Sequence, residues 1–255
     1  TDGCFKIGST TLVDPAPTSL APDDLDNITF WMDIGVNSSL NGGSVADGNP
    51  ISTTDPISPA FEGLDQATGG RQPIYENSGM ASNSLPYADF IAISDQNLVN
   101  TNFISSASWT AIIVFEATTA LTNGNIFDNL ISGGSGARLY ITQTNVTDIR
   151  FNLSMGNTGI QTVAFNIGQT YIITATGNAS TMEITLKVND LTVQSSTSTV
   201  WKNTNQLTLG AKASGVTSEN LDGKIGEFIW YRQLHTEANL DAVVVGLDTK
   251  FGGIL

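Results

Sequence analysis

The sequence predicts an all-β protein, an antiparallel sandwich or barrel that ends in one short helix. Three observations carry this. Short segments alternate apolar and polar residues with a period of two. Turn-forming Gly, Asn, Asp and Ser separate them at similar spacing. The one stretch with helical spacing comes last, at residues 236–252.

The elements follow in order. Residues 1–24 hold "DPAPTSLAPDD", whose prolines rule out a helix or a central strand. They are expected to form an extended arm ahead of a domain at 25–255, either as a plain leader or as a tether onto a neighbouring subunit. "LDNITFWMDIG" (25–35) is expected as a strand with Ile28, Phe30 and Met32 on one face. Residues 36–86 are rich in Gly, Ser, Asn and Pro and should wrap over the sheets with short strands. Strands are then expected at 87–94, 109–118, 137–143, 148–155, 169–177, 206–211 and 223–233. The segment 109–118 is apolar on both faces, as a central strand requires. Residues 182–196 read as a hairpin turning at Asn189-Asp190, with Glu183, Thr185 and Lys187 outward. The terminal helix has Thr236 as N-cap, Glu237 in its first turn, Lys250 in its last and Gly252 as its stop. Leu240, Val243, Val244 and Leu247 form its buried stripe, which should cover an apolar patch at a sheet edge or end.

Composition narrows the function classes. The chain has 255 residues and a formal net charge of −14, which disfavours nucleic-acid binding. No stretch reaches the ~20 apolar residues that a membrane helix needs, so no membrane insertion is expected. The first residues show no charged region followed by an apolar run, so no signal peptide is expected, although a processed secreted chain would read the same way. The single cysteine, Cys4, excludes an intrachain disulfide.

Four motifs in order resemble one known group. They are "WMD" (31–33), "DQATGGRQPIY" (65–75), the hairpin "LKVNDLTV", and the ending "LDGKIGEFIWYRQLHTEANLDAVVVGLDTKFG" (221–252). The pattern is similar to the concanavalin A-like lectin/glucanase superfamily, and within it to the LamG-like jelly-roll modules of phage and bacterial surface proteins. The ending resembles that group's "F-x-G-x-I-x-E" strand followed by a helix closing on "K-Y-G". The resemblance spans about residues 25–252 and implies an antiparallel jelly-roll β-sandwich with one short C-terminal helix. This fold hosts lectins, hydrolases and purely structural modules, so function must be read from sites.

Enzyme chemistry is not expected. The glucanase branch places paired carboxylates on alternate positions of one strand, so that both flank one glycosidic bond. No such strand is present: Glu62 and Asp65 lie in a loop-like segment, and Glu227 stands alone on an apolar strand. Glu227 is expected to make a structural hydrogen bond or ion pair. His235, the only histidine, reads as a connector, and "GGSGA" (133–137) departs from a nucleophile elbow. Zinc clusters are absent. Calcium is considered because relatives bind it through loop carboxylates, with Asp128, Asn129 and Asp222 as weak candidates. A sugar site needs an aromatic platform and polar neighbours. If strands 137–143 and 148–155 pair, Arg138, Tyr140, Arg150 and Asn152 share an outward face, and Trp201 supplies a rim platform.

These readings point to a non-enzymatic structural or adhesion protein of a virion, a bacteriophage fibre, tail or capsid-surface component that binds host-surface glycans. Its N-terminal arm would dock on other virion proteins, and such parts are commonly homo-oligomers, trimers among them. The alternative is a secreted bacterial carbohydrate-binding module.

Overall fold

A computed structural model describes residues 19–36, 40–54, 63–101, 103, 108–119, 124–129, 137–145, 148–155, 158–189, 192–198, 206–212 and 219–255. Residues 1–18 of the expected arm, Glu62, residues 133–136, and Trp201 lie outside them. The protein is an all-β antiparallel jelly-roll sandwich with one C-terminal helix.

Two antiparallel sheets of eight strands each face one another. The first contains β1 (Ile28–Asp33), β4 (Ile74–Met80), β5 (Leu85–Phe90), β7 (Trp109–Ala117), β12 (Thr170–Asn178), β13 (Glu183–Val188), β14 (Gln194–Thr197) and β16 (Gly223–Tyr231). Its order is β14-β13-β12-β7-β16-β5-β4, with β1 also paired to β16. The second contains β2 (Thr53–Thr54), β3 (Leu64–Asp65), β6 (Leu98–Asn100), β8 (Gly124–Asp128), β9 (Ala137–Asn145), β10 (Asp148–Met155), β11 (Thr158–Ala164) and β15 (Leu207–Leu209). Its order is β11-β10-β9-β8-β15-β6-β3-β2. The helix, α1, spans Glu237–Phe251.

The period-two alternation divides the central strands of the first sheet, β7, β12 and β16, between two cores. On β7, Trp109, Ala111, Ile113 and Phe115 point between the sheets, while Ile112 and Val114 point to the opposite face. That is why the strand is apolar throughout. The inner core is closed by aromatic contacts. Trp109 and Trp230 stack at 4.8 Å, and Phe127 of the second sheet meets both edge-on, at 6.2 and 5.7 Å. Such edge contacts tie β8 to β7 and β16.

The outer core lies beneath α1. Leu240, Val243, Val244, Leu247 and Phe251 pack on Ile112, Val114, Ile172, Ile229 and Tyr231. The helix therefore covers the middle of the first sheet's outer face, not an edge or end. Its boundaries follow the sequence reading: the Thr236 hydroxyl accepts from Asn239 N–H, and Gly252 ends the helix at φ 85°.

Other expectations shift by local detail. A bulge between Ile28 and Phe30 turns Ile28 toward the outer core, away from Phe30 and Met32. The 87–94 segment is strand only to Phe90 and then becomes a 3-10 turn over Ala92–Ser94. The strands of the 182–196 hairpin pair one residue away from the register that a two-residue turn at Asn189-Asp190 would set, and Asp190 lies outside the described residues. Such a turn pairs Leu186 with Val193, whereas Leu186 pairs with Gln194. Asn189 is tied to β12: its N–H donates to the Ile172 carbonyl and its Oδ1 accepts from Ile172 N–H. Residues 36–86 supply short strands, as expected: β2 and β3 at one edge of the second sheet and β4 at one edge of the first.

Candidate functional site

The sequence-predicted patch assembles in part. Strands β9 and β10 pair with Asn152 opposite Tyr140, Ser154 opposite Arg138 and Arg150 opposite Thr142. Arg138, Tyr140, Arg150 and Asn152 therefore share the outer face of the second sheet. Much of their polar capacity is used internally. Arg138 forms a 2.9 Å ion pair with Glu219, which also takes Lys212 at 2.9 Å. The Arg138 guanidinium lies 4.0 Å from the Tyr140 ring centre. Asn152 is buried and donates to the Thr142 hydroxyl.

The calcium candidates do not converge. Asp128 is fully buried on β8, Asn129 Oδ1 accepts from Ala137 N–H at 2.6 Å, and Asp222 accepts from the Thr119 hydroxyl at 2.6 Å. Among the described residues no three His, Cys, Asp or Glu side chains gather as a metal site.

A concave site lies elsewhere, on the outer face of the first sheet where α1 begins. It is a half-open groove of about 260 Å³. One wall is the outward row of β12 and β13, with Thr174, Thr176 and Asn178 beside Glu183, Thr185 and Lys187. These residues face outward together because the strands pair Thr174 with Lys187 and Thr176 with Thr185. The Thr176 and Thr185 hydroxyls meet at 2.6 Å. The other wall is Leu234, His235 and the start of α1, with Glu237, Leu240 and Asp241. Val193 and Leu234 are both 37% exposed and, with Leu240, give the groove a largely apolar lining set between polar side chains.

Lys187 bridges the two walls. Its ammonium is 2.6 Å from Asp241 and 3.7 Å from Glu237. His235 meets Tyr231 edge-on at 4.6 Å, and its Nε2 is buried with no hydrogen-bond partner among the described residues. Burial pushes the imidazole below its usual value, against the Asp26 carbonyl and carboxylate, which pull it up. The ring is neutral at pH 7.

Sequence reasoning found the outward residues of β13 but not the groove. Its residues span 174–241 and meet only because the sheet order sets β12 and β13 next to the start of α1. The readable signal was the run of outward Thr on two successive strands, where a solvated face usually mixes charges.

A second polar cluster lies under the other end of α1. Lys250 sits 2.6 Å from Asp33 and 2.7 Å from Glu227, and Trp31 donates its indole N–H to Glu227 at 2.7 Å. Glu227 is 1% exposed, and its expected structural pairing is what the fold shows.

No family model matches the chain, and no curated protein does. Solved structures do. A Trypanosoma rangeli sialidase in complex with 2,3-difluorosialic acid has a TM-score of 0.57 at 9% identity, over 88% of this chain and 34% of that one. A structure of botulinum neurotoxin type C, whose cell entry depends on two ganglioside molecules, has a TM-score of 0.51 at 12% identity, over 87% of this chain and 51% of that one. A pentraxin from Limulus polyphemus has a TM-score of 0.45 at 10% identity, over 58% of this chain and 73% of that one. The chain thus spans about a third and about half of the length of the first two. At these identities the likeness is one of fold, the lectin-like β-sandwich.

Proposed function

We propose that this protein is a non-enzymatic adhesion module that binds glycans in the groove at the start of α1. The observation that carries the reading is the groove itself. It offers a row of threonine hydroxyls and an asparagine amide on one wall, carboxylates on the other and exposed apolar side chains between them, which is the mixture a sugar ring matches. Its volume of about 260 Å³ suits a small ligand rather than a long chain. The neurotoxin, whose cell entry depends on gangliosides, and the sialidase, in complex with a sialic acid derivative, support a glycan as the ligand class. His235 replaces the aromatic platform usual in sugar sites.

The setting we propose is the outer surface of a virion, with a phage appendage or capsid-surface part in view. A sandwich low in charge and rich in Thr, Ser, Asn and Gly suits a rigid exterior part. The secreted-module alternative shares the groove and differs only in setting. Native mass of the full chain, with and without residues 1–24, separates the two: a discrete oligomer that dissociates on arm removal supports the particle part.

Binding is tested by screening the full chain against immobilised glycans beside the double variant Thr176→Val, Thr185→Val. Replacing both members of this hydroxyl pair with isosteres leaves stability nearly unchanged. Wild type should bind and the variant should lose at least tenfold. Equal binding by both excludes the groove, and shortening of any glycan on long incubation overturns the non-enzymatic reading.

A further inference from the structure

The charge inventory of the groove narrows its ligand. Among the described residues, Glu183, Glu237 and Asp241 line it, and Lys187 is the one lysine or arginine that does. Lys187 is already committed to Asp241 and Glu237. His235, held neutral by burial, adds no positive charge at pH 7. Three acids against one base leave an excess of two negative charges, within a chain of net charge −14. An acidic sugar entering here meets like charge, with no unpaired cation among the described residues to receive it.

Glu183 is the informative member. It faces outward at the start of β13 and lines the groove. Its carboxylate has no ion-pair or hydrogen-bond partner among the described residues. A carboxylate accepts only, so it is satisfied by donors: sugar hydroxyls, or more strongly an ammonium. The Thr174, Thr176 and Thr185 hydroxyls both donate and accept, so they suit ring oxygens and hydroxyls alike.

We propose that the groove selects a non-acidic saccharide, and an amino sugar ahead of a neutral one, with the Glu183 carboxylate receiving the ammonium. This rests on the glycan-binding reading above. It sets the ligand apart from the sialic acid derivative and gangliosides named for the structures that share the fold.

The test is calorimetric titration of the full chain with three probes: a glucosamine disaccharide, its N-acetylated neutral counterpart, and sialyllactose. Each is repeated on Glu183→Gln, a surface substitution that keeps size and hydrogen-bonding reach. The amine should bind at least tenfold more tightly than the neutral disaccharide, the worth of one charge-assisted hydrogen bond, and sialyllactose least of all. Glu183→Gln should bring the amine down about tenfold and leave the neutral disaccharide within about twofold. An amine preference that survives in Glu183→Gln would reflect the general negative field of the protein and would overturn the assignment to this residue. Sialyllactose as the tightest ligand overturns the charge argument while leaving the glycan reading standing. Failure of all three probes, together with an empty glycan screen, removes the glycan reading itself.

Discussion

Lys250 is one of ten basic residues in the chain, and it sits between two carboxylates. With Trp31, Asp33 and Glu227 it joins "WMD" to both halves of the 221–252 ending, the β16 strand and the close of α1, in one hydrogen-bonded cluster. Glu227 is held up at about 7, first by burial and then by Asp33, against the pull of Lys250 and Trp31. The folded protein therefore carries more protons than the unfolded chain between about pH 4.5 and 7. By linkage, this residue makes stability fall as pH rises through that window. Burial works against the Lys250 charge, but Glu227 and Asp33 outweigh it and raise its value. Its contribution is present at neutral pH and is lost only in alkali. The urea midpoint should thus decline from pH 5 to 7.5, and Glu227→Gln should flatten that decline, since glutamine still accepts from Trp31. An unchanged slope in the variant would place the titration elsewhere. Lys250→Met leaves two carboxylates together and should cost about 3 kcal/mol at pH 7, at the low end for a broken buried pair because Lys250 is 32% exposed.

At the scale of elements, α1 is fixed by close approaches that only glycine permits. Gly226 sits in the β16 bulge, where a Cβ would lie 2.7 Å from Met80 Sδ and 2.8 Å from the Phe251 ring. The bulge turns Glu227 outward to Lys250 and lets the last helical turn seat on the sheet. Gly226→Val should cost roughly 1–3 kcal/mol by overpacking, and Phe251→Ala roughly 3–5 by leaving a cavity; both are read by urea denaturation. Gly246 plays a similar part for residues 19–25. Leu20 N–H bonds the Ala242 carbonyl at 3.1 Å, and a Cβ on Gly246 would stand 2.7 Å from the Leu20 carbonyl oxygen. The Tyr231 hydroxyl also holds the Pro22 carbonyl at 2.9 Å, so this end of the expected arm lies against the body. Gly246→Val should release residues 19–25 to limited proteolysis while the helix remains; resistance equal to wild type would mean that the crossing tolerates the side chain. The sequence displayed the helix, its caps and most long strands because local periodicity and capping residues fix them. Bulges were not legible, since one extra residue leaves the composition of a strand unchanged while reversing the facing of residues such as Ile28. Strands β6, β8 and β11 escaped notice as well. Two are only three and five residues long, and β11, "TGIQTVA", lacks a clean alternation.

Across the whole molecule, two cores share the central strands β7, β12 and β16, one between the sheets and one beneath α1. Damage under the helix should therefore spread to the sandwich, and unfolding followed by tryptophan fluorescence and by circular dichroism should coincide. The outer core also shapes the groove: α1 covers the middle of the sheet and leaves the outward row of β12 and β13 beside its first turns. The sequence exposed Glu183, Thr185 and Lys187 as outward residues, yet their meeting with His235 and Asp241 depends on strand order, which local pattern does not encode. Glycan binding in the groove is tested most directly by chemical-shift mapping of the isotope-labelled full chain on addition of a glucosamine disaccharide. Shifts should be confined to the outer face of β12 and β13, His235 and the first turns of α1. Shifts centred on Arg138 and Tyr140 on the opposite sheet, or none at saturating disaccharide, would contradict groove binding.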